Sequence, residues 1–323
     1  MNLLKPFLFL FLVSVLNLSA QPSGIGQRSL RQHTRIESRV WEPIQTNEKL
    51  IFEKVSEFKK SKRELKVKAN GIPDHQVGRF PNAQNPNFIK VQNHEFSLPL
   101  NPRPLKEPIP LHNETVRGPP NIPFGIAVNG VLFDPGTAEF FMGNRRADWN
   151  YAALSGAVLL GLDENHGHVQ PNGSYHYHGL PTGLLRNMSV NGKEHSPLVG
   201  YAMDGYPIYV IYGFEDPQCM ESKIKKIKSS YRLKKGKRPD PPGGSYDGSF
   251  SKDFEFVDGS GDLDQCNGRV TKTKEYPEGI YAYFLTENWP VIPRYFRAEP
   301  IRLRGDRAAR RGNLKEIPSR KPF

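Results

Sequence analysis

The sequence predicts a mainly β protein: an antiparallel β-sandwich-like or otherwise β-rich single domain with short helices. Glycine and proline occur 29 times each among 323 residues, which favours turns and short strands over long helices. The apolar runs are short and rich in β-branched and aromatic residues. Proline-rich segments at 81–87, 98–110 and 117–125 interrupt any helix before it can form.

The predicted strands lie between these breaks, and each is a short apolar run. In chain order they cover 65–68, 88–91, 126–131, 157–162, 198–203, 207–212 and 279–286. Helical spacing of apolar residues within 50–58 predicts one short amphipathic helix, and a second small helix is predicted near 149–155.

The two ends of the chain differ from this central region. Residues 1–20 combine an early Lys5, an apolar run and the small residues Ser19 and Ala20, which predicts a secretory signal peptide. The apolar run is shorter than a membrane span, and no other run approaches ~18 apolar residues. We therefore expect an exported protein, periplasmic, extracellular or on the cell surface, without a transmembrane segment in the mature chain. Residues 21–62 are predicted to be a partly ordered arm, 63–302 the β domain and 303–323 a basic mobile tail.

Export bears on Cys219 and Cys266, the only cysteines of the chain. An oxidising compartment permits one disulfide between them. We favour this bridge, and two buried free thiols are the alternative.

The formal net charge of +12 is concentrated in two basic stretches, 223–238 and 294–311. The chain has no nucleic-acid-binding motif, and we expect no nucleic-acid partner. A solvated basic face is the simplest interpretation, with an acidic polysaccharide or cell-surface polymer as a candidate partner. The oligomeric state is left open.

The window HGHVQPNGSYHYHG (166–179) holds four of the nine histidines. Alternate side chains of a strand share a face, so each His-x-His pair points both imidazoles the same way. The Pro-Asn-Gly sequence between the pairs predicts a turn, and a hairpin would bring facing side chains to within ~5 Å. We therefore expect His166, His168, His176 and His178 to converge on one metal ion.

Imidazole ligands suit zinc or copper and argue against magnesium or calcium at this window. Asp163 and Glu164, just upstream, are candidate oxygen ligands or partners of a ring N–H. His195, beyond a second predicted turn, is a weaker candidate. A polar strand face without metal is the competing interpretation.

Two further acidic features carry chemistry. Asp204 interrupts an apolar stretch before a glycine, so it is either an Asp-Gly turn or a buried, functional carboxylate. Asp258, Asp262 and Asp264 alternate as in a calcium loop but lack the glycine and the final acid of an EF-hand. Calcium is therefore only a side possibility.

The motif Tyr175-His176-Tyr177-His178 resembles the signature of the YHYH domain family. Other segments that resemble this family are NGIPDHQVGRFPNAQNPN, FGIAVNGVLFDP, DENHGHVQPNGSYHYHG, GYAMDGYPIY and DLDQCNGR. The resemblance spans about 63–302. It implies an exported domain, and no established activity comes with it.

Three hypotheses follow. The first is a secreted domain that binds zinc or copper for structure or sequestration. The second is a metal-dependent hydrolase or oxidase, in which three histidines hold the ion and Asp204 or Glu164 is the general base. The third is a non-enzymatic adhesion or glycan-binding module.

Overall fold

The structure, a computed structural model, describes residues 43–111 and 122–301. The predicted signal peptide, most of the predicted arm and the predicted tail at 303–323 lie outside these ranges. None of the described helices is long and apolar enough to cross a membrane.

Strands are the main elements of the described ranges, and most are only two to six residues long. They are β1 Thr46–Glu48, β2 Ser56–Lys60, β3 Glu64–Ala69, β4 Val77–Gly78, β5 His94–Pro99, β6 Ile109–Pro110, β7 Gly125–Ala127, β8 Leu132–Phe133, β9 Gly167–Val169, β10 Tyr175–Tyr177, β11 Gly200–Ala202, β12 Pro207–Val210, β13 Tyr212–Phe214, β14 Ile224–Lys226, β15 Tyr231–Leu233, β16 Phe254–Phe256, β17 Gly268–Thr271, β18 Ile280–Leu285 and β19 Tyr295–Phe296. Within residues 43–111 and 122–301, one α-helix, α1, covers Thr182–Asn187, and three short 3₁₀ turns cover Phe141–Gly143, Arg145–Ala147 and Ser251–Asp253.

Eight strands form the central sheet, in the order β17-β18-β12-β11-β7-β8-β10-β9. The pairs β12–β18 and β8–β10 are parallel, and the other neighbours in this sheet are antiparallel. The predicted β-rich, mainly antiparallel fold class is confirmed. The histidine hairpin forms one edge of this sheet.

The core lies on the central sheet, whose inner strands are buried on both faces. Every residue of β7, β11 and β12 is buried, which explains why these strands appear in the sequence as continuous apolar runs. The three-stranded sheet β2-β3-β5 adds Leu65, Val67 and Leu98 to the same core. Burial alternates along β3, so one face packs inward and the lysines face solvent.

Several predicted elements are wrong in detail. Residues 88–91 and 157–162 contain no strand, and 149–155 contain no α-helix. The predicted helix within 50–58 is also wrong, because Phe58 lies on β2, where it faces Val67 of β3 and contacts the Tyr201 ring. Pairing with β3 overrides the helical spacing there. Helix α1 was not predicted.

Cys219 and Cys266 are both free, so the expected disulfide is corrected to the alternative of two thiols. Cys266 is buried in the main core, and burial raises its pKa to about 12. Cys219 is half-buried, with its Sγ 3.6 Å from a Glu221 carboxylate oxygen.

Candidate metal centre

The histidine window folds as the predicted hairpin of β9 and β10. Asn172 and Gly173 form its turn, and Gly173 has a φ of +90°, which a glycine adopts without strain. The Gln170 N–H donates to the Ser174 carbonyl, and the Ser174 N–H donates to the Asn172 side chain. These contacts fix the register that places His168 opposite His176.

Three imidazoles converge on one face of this hairpin. His168 and His176 are cross-strand partners, and His178 lies two residues beyond His176 on the same face. The Nε2 atom of His178 is 3.0 Å from that of His176 and 2.9 Å from that of His168. The three ring centroids are 4.6 to 4.7 Å apart, so the rings form a nearly equilateral triangle.

His166 does not join this triangle, which corrects the expected set of four imidazoles to three. Its φ is +56°, so the chain turns at this residue as it enters β9. The ring Nδ1 lies 2.7 Å from the Leu180 carbonyl oxygen, and the Cβ packs close to Gly179. A left-handed residue breaks the two-residue alternation on which the prediction depended.

The opposite face of β10 anchors the hairpin through its tyrosines. The Tyr175 hydroxyl donates to Asp163, 2.8 Å away, and the Tyr177 hydroxyl accepts from Asn129 and contacts Nε2 of His75. Both tyrosines are fully buried, so these polar contacts satisfy groups that water cannot reach. Tyr175 and Tyr177 thereby hold the histidines in position.

The hydrogen bonds of the triad determine where its protons lie. The Nδ1 atoms of His168 and His176 are 2.9 and 3.1 Å from the carbonyl oxygens of Leu160 and Ser174. A carbonyl only accepts, so each Nδ1 donates, and each neutral ring carries its lone pair on Nε2. A neutral His178 ring carries only one N–H proton, whereas its Nε2 atom lies against two lone pairs, those on Nε2 of His168 and of His176.

Burial keeps these rings neutral. Burial, together with the neighbouring His176, lowers the pKa of His168 to about 3. Burial lowers the pKa of His176 to about 4. The pKa of His178 is well below its usual value through burial and its two histidine neighbours. Neutral imidazole is the form that binds a metal.

The donor set fits a small transition-metal ion. His168, His176 and His178 form the one group of three or more potential ligands in the described part of the chain that could hold a metal ion. Tetrahedral Zn–N bonds of about 2.0 Å place ligand nitrogens about 3.3 Å apart. The two Nε2 separations from His178, 3.0 and 2.9 Å, are shorter by only a few tenths of an ångström, and the ligand atoms of all three residues lie within 4.8 Å of one another.

Two cavities flank the triad. The larger, with a volume of about 1130 Å³, is lined by His176 and by Asp134, Gln170 and Ser174. The smaller, of about 240 Å³, is lined by His178. Each cavity is therefore bordered by one histidine of the triad.

Asp134 is a functional candidate that the sequence reasoning missed. It directly follows β8, whose Leu132 and Phe133 pair with His176 and Tyr177, and its N–H donates to the Tyr177 carbonyl. Burial raises its pKa to about 6, although hydrogen bonds from the Gly136 backbone and the Gln170 side chain lower it. The parallel pairing of β8 with β10 creates this proximity, and no local sequence signal reports such a pairing.

The carboxylates that the sequence did suggest lie elsewhere. Glu164 is exposed and accepts from the N–H and hydroxyl of Thr46. Asp204 is fully buried and accepts from the Tyr283 hydroxyl and from the backbone N–H groups of Arg297 and Ala298. Neither belongs to the triad, so the structure does not support either as a base beside it.

Asp163 likewise has a structural role. Its two oxygens accept from the N–H groups of Gly78, Asn165 and Gly167 and from the Tyr175 hydroxyl. These bonds hold the chain that leads into β9. Asp163 is not part of the triad, so the structure supports neither of the two roles that the sequence left open for it, metal ligand or partner of a ring N–H.

The remaining candidates also lie outside the triad. The His195 ring packs against Tyr209 and Phe214. Asp262 binds the Lys225 ammonium, and Asp264 accepts from backbone N–H groups and the Tyr281 hydroxyl. These contacts occupy two of the three acids of the suggested calcium loop, and the structure gives calcium no support there.

The β-rich fold and the triad on a His-x-His hairpin together define a histidine-cluster domain. A family model described as YHYH protein matches residues 95–298, so the chain belongs to the YHYH family. This confirms the resemblance seen in the sequence. No curated protein and no solved structure matches the chain.

Proposed function

We propose that this protein is an exported metal-binding protein in which His168, His176 and His178 hold one zinc or copper ion. One observation carries the proposal: three neutral imidazoles, of which His176 and His178 are buried and His168 is half-buried, bring their Nε2 atoms together. Lone pairs in such close contact repel one another unless a proton or an ion lies between them. Zinc and copper are ions for which imidazole is a well-suited ligand.

The proposed export depends on a different feature, the arrangement of the first twenty residues. Lys5, the apolar run and the small residues before Gln21 follow the pattern of a signal peptide. N-terminal sequencing of the secreted protein tests it, and a mature chain that begins at Gln21 is the expected result. A chain retained in the cytosol with its first residues intact would contradict it.

Elemental analysis tests the metal site. We expect about one equivalent of zinc or copper per chain after purification without chelators, and loss of the metal in His176→Gln and His178→Gln. His166→Asn is the matched control, because it alters a histidine of the same window and Asn tolerates the left-handed backbone. Metal-free protein that takes up neither ion, or variants that bind normally, would contradict the proposal.

A metal-dependent hydrolase is the second candidate function, and Asp134 is the observation that favours it. A site with three histidine ligands leaves one position of the ion open, as in catalytic zinc sites. A metal there supplies a Lewis acid that polarises a carbonyl or phosphoryl oxygen. Asp134 lines the same large cavity as His176, and its pKa of about 6 suits a group that accepts a proton near neutral pH.

Asp134→Asn separates binding from catalysis. We expect this variant to keep its metal and to lose at least tenfold in the rate of metal-dependent hydrolysis of an activated ester, p-nitrophenyl acetate. Glu164→Gln, an exposed carboxylate in the same region, is the control and keeps its rate. An Asp134→Asn variant as active as the unmodified chain contradicts the hydrolase role and leaves the metal site standing.

A further inference from the structure

The small cavity beside His178 is lined by Arg294, a half-buried residue whose guanidinium has two buried nitrogens without a hydrogen-bond partner in the described part of the chain. The Nε and Nη1 atoms of Arg294 are buried and have no hydrogen-bond partner among the described residues. Buried donors are almost always paired, and unpaired ones on a charged group are the most unfavourable. Both Arg294 and His178 line this cavity.

Aromatic stacking accounts for the position of Arg294 but not for its unpaired N–H groups. Its guanidinium carbon lies 4.5 Å from the centroid of the Trp289 ring, which itself stacks on Phe254 at 4.3 Å. A cation–π contact uses the flat face of the guanidinium, and the N–H groups point outward in its plane. They remain available to a ligand.

His178 contributes a further buried ring nitrogen without a hydrogen-bond partner in the described ranges. Its Nδ1 atom is buried; the Pro135 backbone interacts with the ring, yet no described atom has hydrogen-bonding geometry at Nδ1. When Nε2 of a neutral imidazole binds a metal, Nδ1 carries the proton. Ligating histidines commonly donate this N–H to a carboxylate, a carbonyl or water.

The charge balance of the cavity is positive. Burial lowers the pKa of Arg294 to about 10, so the guanidinium stays charged at neutral pH. Glu287 is the one carboxylate in the wall, and both of its oxygens bind the Lys226 ammonium, 2.8 and 2.9 Å away. Asp134 attracts Arg294 electrostatically but belongs to the other cavity.

We propose that this cavity is a binding site for a small oxyanion, a carboxylate or phosphate group that accepts from Arg294 Nε and Nη1 and from His178 Nδ1. The part played by His178 rests on the proposed metal site, whereas the part played by Arg294 does not. At about 240 Å³ the cavity is smaller than the sites that hold drug-sized molecules. Leu154, Pro290 and Val291 offer an apolar wall to the remainder of such a ligand.

Titration of inorganic phosphate and of acetate into the purified chain tests the site. Calorimetry measures affinity and tryptophan fluorescence reports the environment of Trp289, with chloride as the control for ionic strength. We expect saturable binding of at least one oxyanion and a fluorescence change that Trp289→Phe removes. Binding of phosphate alone assigns the site to phosphate groups, and binding of acetate alone assigns it to carboxylates.

Variants of Arg294 and of a control arginine, Arg269, test whether Arg294 binds the oxyanion. We expect Arg294→Gln to weaken binding at least tenfold and Arg294→Lys to weaken it less, because lysine keeps the charge and loses the paired N–H groups. Arg269→Gln is the matched control, since Arg269 is another half-buried arginine with an unpartnered Nε beside an aromatic ring, Phe284. Circular dichroism verifies that each variant folds.

The metal content of the same samples distinguishes this inference from the proposed function. Metal-loaded protein that binds neither phosphate nor acetate, or whose Arg294→Gln variant binds as well as the unmodified chain, overturns the oxyanion site alone. Binding that depends on Arg294 in a protein without metal supports the oxyanion site and contradicts the metal site.

Discussion

The Nε2 atoms of His168 and His178 lie 2.9 Å apart on one face of the β9–β10 hairpin. His178 directly follows β10, whose opposite face is anchored by two buried tyrosines, and His168 lies on β9, which pairs with β10. Protonation would relieve the contact between lone pairs, but burial opposes it. An ion resolves this conflict, and the following predictions depend on it or on the network that supports it.

Metal should stabilise the fold through the triad. A ligand that binds only the folded state at about 1,000 times its dissociation constant adds about 4 kcal/mol to the free energy of unfolding. We expect zinc or copper to raise the midpoint of chemical unfolding of the chelator-treated chain, and His176→Gln to abolish this increase. An equal increase in the variant would show that the ion binds elsewhere.

Replacing two adjacent carboxylates by amides should change the free energy of unfolding to very different extents. Asp163→Asn replaces one acceptor oxygen by an NH₂ group facing the donors that Asp163 now accepts, and we expect a loss of about 3 kcal/mol in the free energy of unfolding. Glu164→Gln, at an exposed position, should change it by less than about 0.5 kcal/mol. Urea denaturation measures both. Similar effects at the two positions would contradict the role assigned to Asp163.

The sequence predicted the hairpin because its signals are local. The Asn-Gly turn and the period of two place His168, His176 and His178 together without any knowledge of the remaining fold. The prediction that His166 joins the cluster failed for a local reason too. Its backbone is left-handed, and a histidine in the sequence does not indicate that conformation. The period-two rule therefore holds within β9 and β10 and fails at His166, the residue just before β9.

The parts that escaped prediction depend on contacts between distant segments. Asp134 reaches the triad through the parallel pairing of β8 with β10, and Arg294 lines the cavity of His178 from the far end of the chain. The strand predicted at 157–162 is irregular, and its Leu160 carbonyl holds the His168 ring instead. The apolar composition of 157–162 suggested a strand, but the sequence did not show that this segment has no strand partner among the described residues.

Asp204 should make stability depend on pH. Burial raises its pKa to about 6, so between about pH 4 and 6 the folded state binds a proton that the unfolded state has released. Its contribution is complete below about pH 4 and is lost as the pH rises through 6. We expect Asp204→Asn to be most destabilised relative to the unmodified chain near pH 4, with the gap narrowing by about 1.4 kcal/mol per pH unit at most. A gap that widens with pH, in urea unfolding from pH 4 to 7, would show the opposite shift.

The two cysteines should differ in reactivity and form no bridge. Cys219 is half-buried and free, whereas Cys266 is buried with a pKa of about 12, and the thiolate is the reactive form. Iodoacetamide should modify Cys219 in the folded protein and Cys266 only after unfolding, as mass spectrometry of the two peptides will show. A disulfide-linked pair of peptides from the native protein would refute this arrangement.

X-ray absorption spectroscopy of the metal-loaded protein tests the central claim most directly, because it counts the ligands of the ion. The account predicts three imidazoles and at least one further light donor, all at about 2.0 Å, whichever of zinc or copper is present. His166→Asn should leave the spectrum unchanged. A sulfur ligand, or an ion with fewer than three imidazoles, would contradict the account.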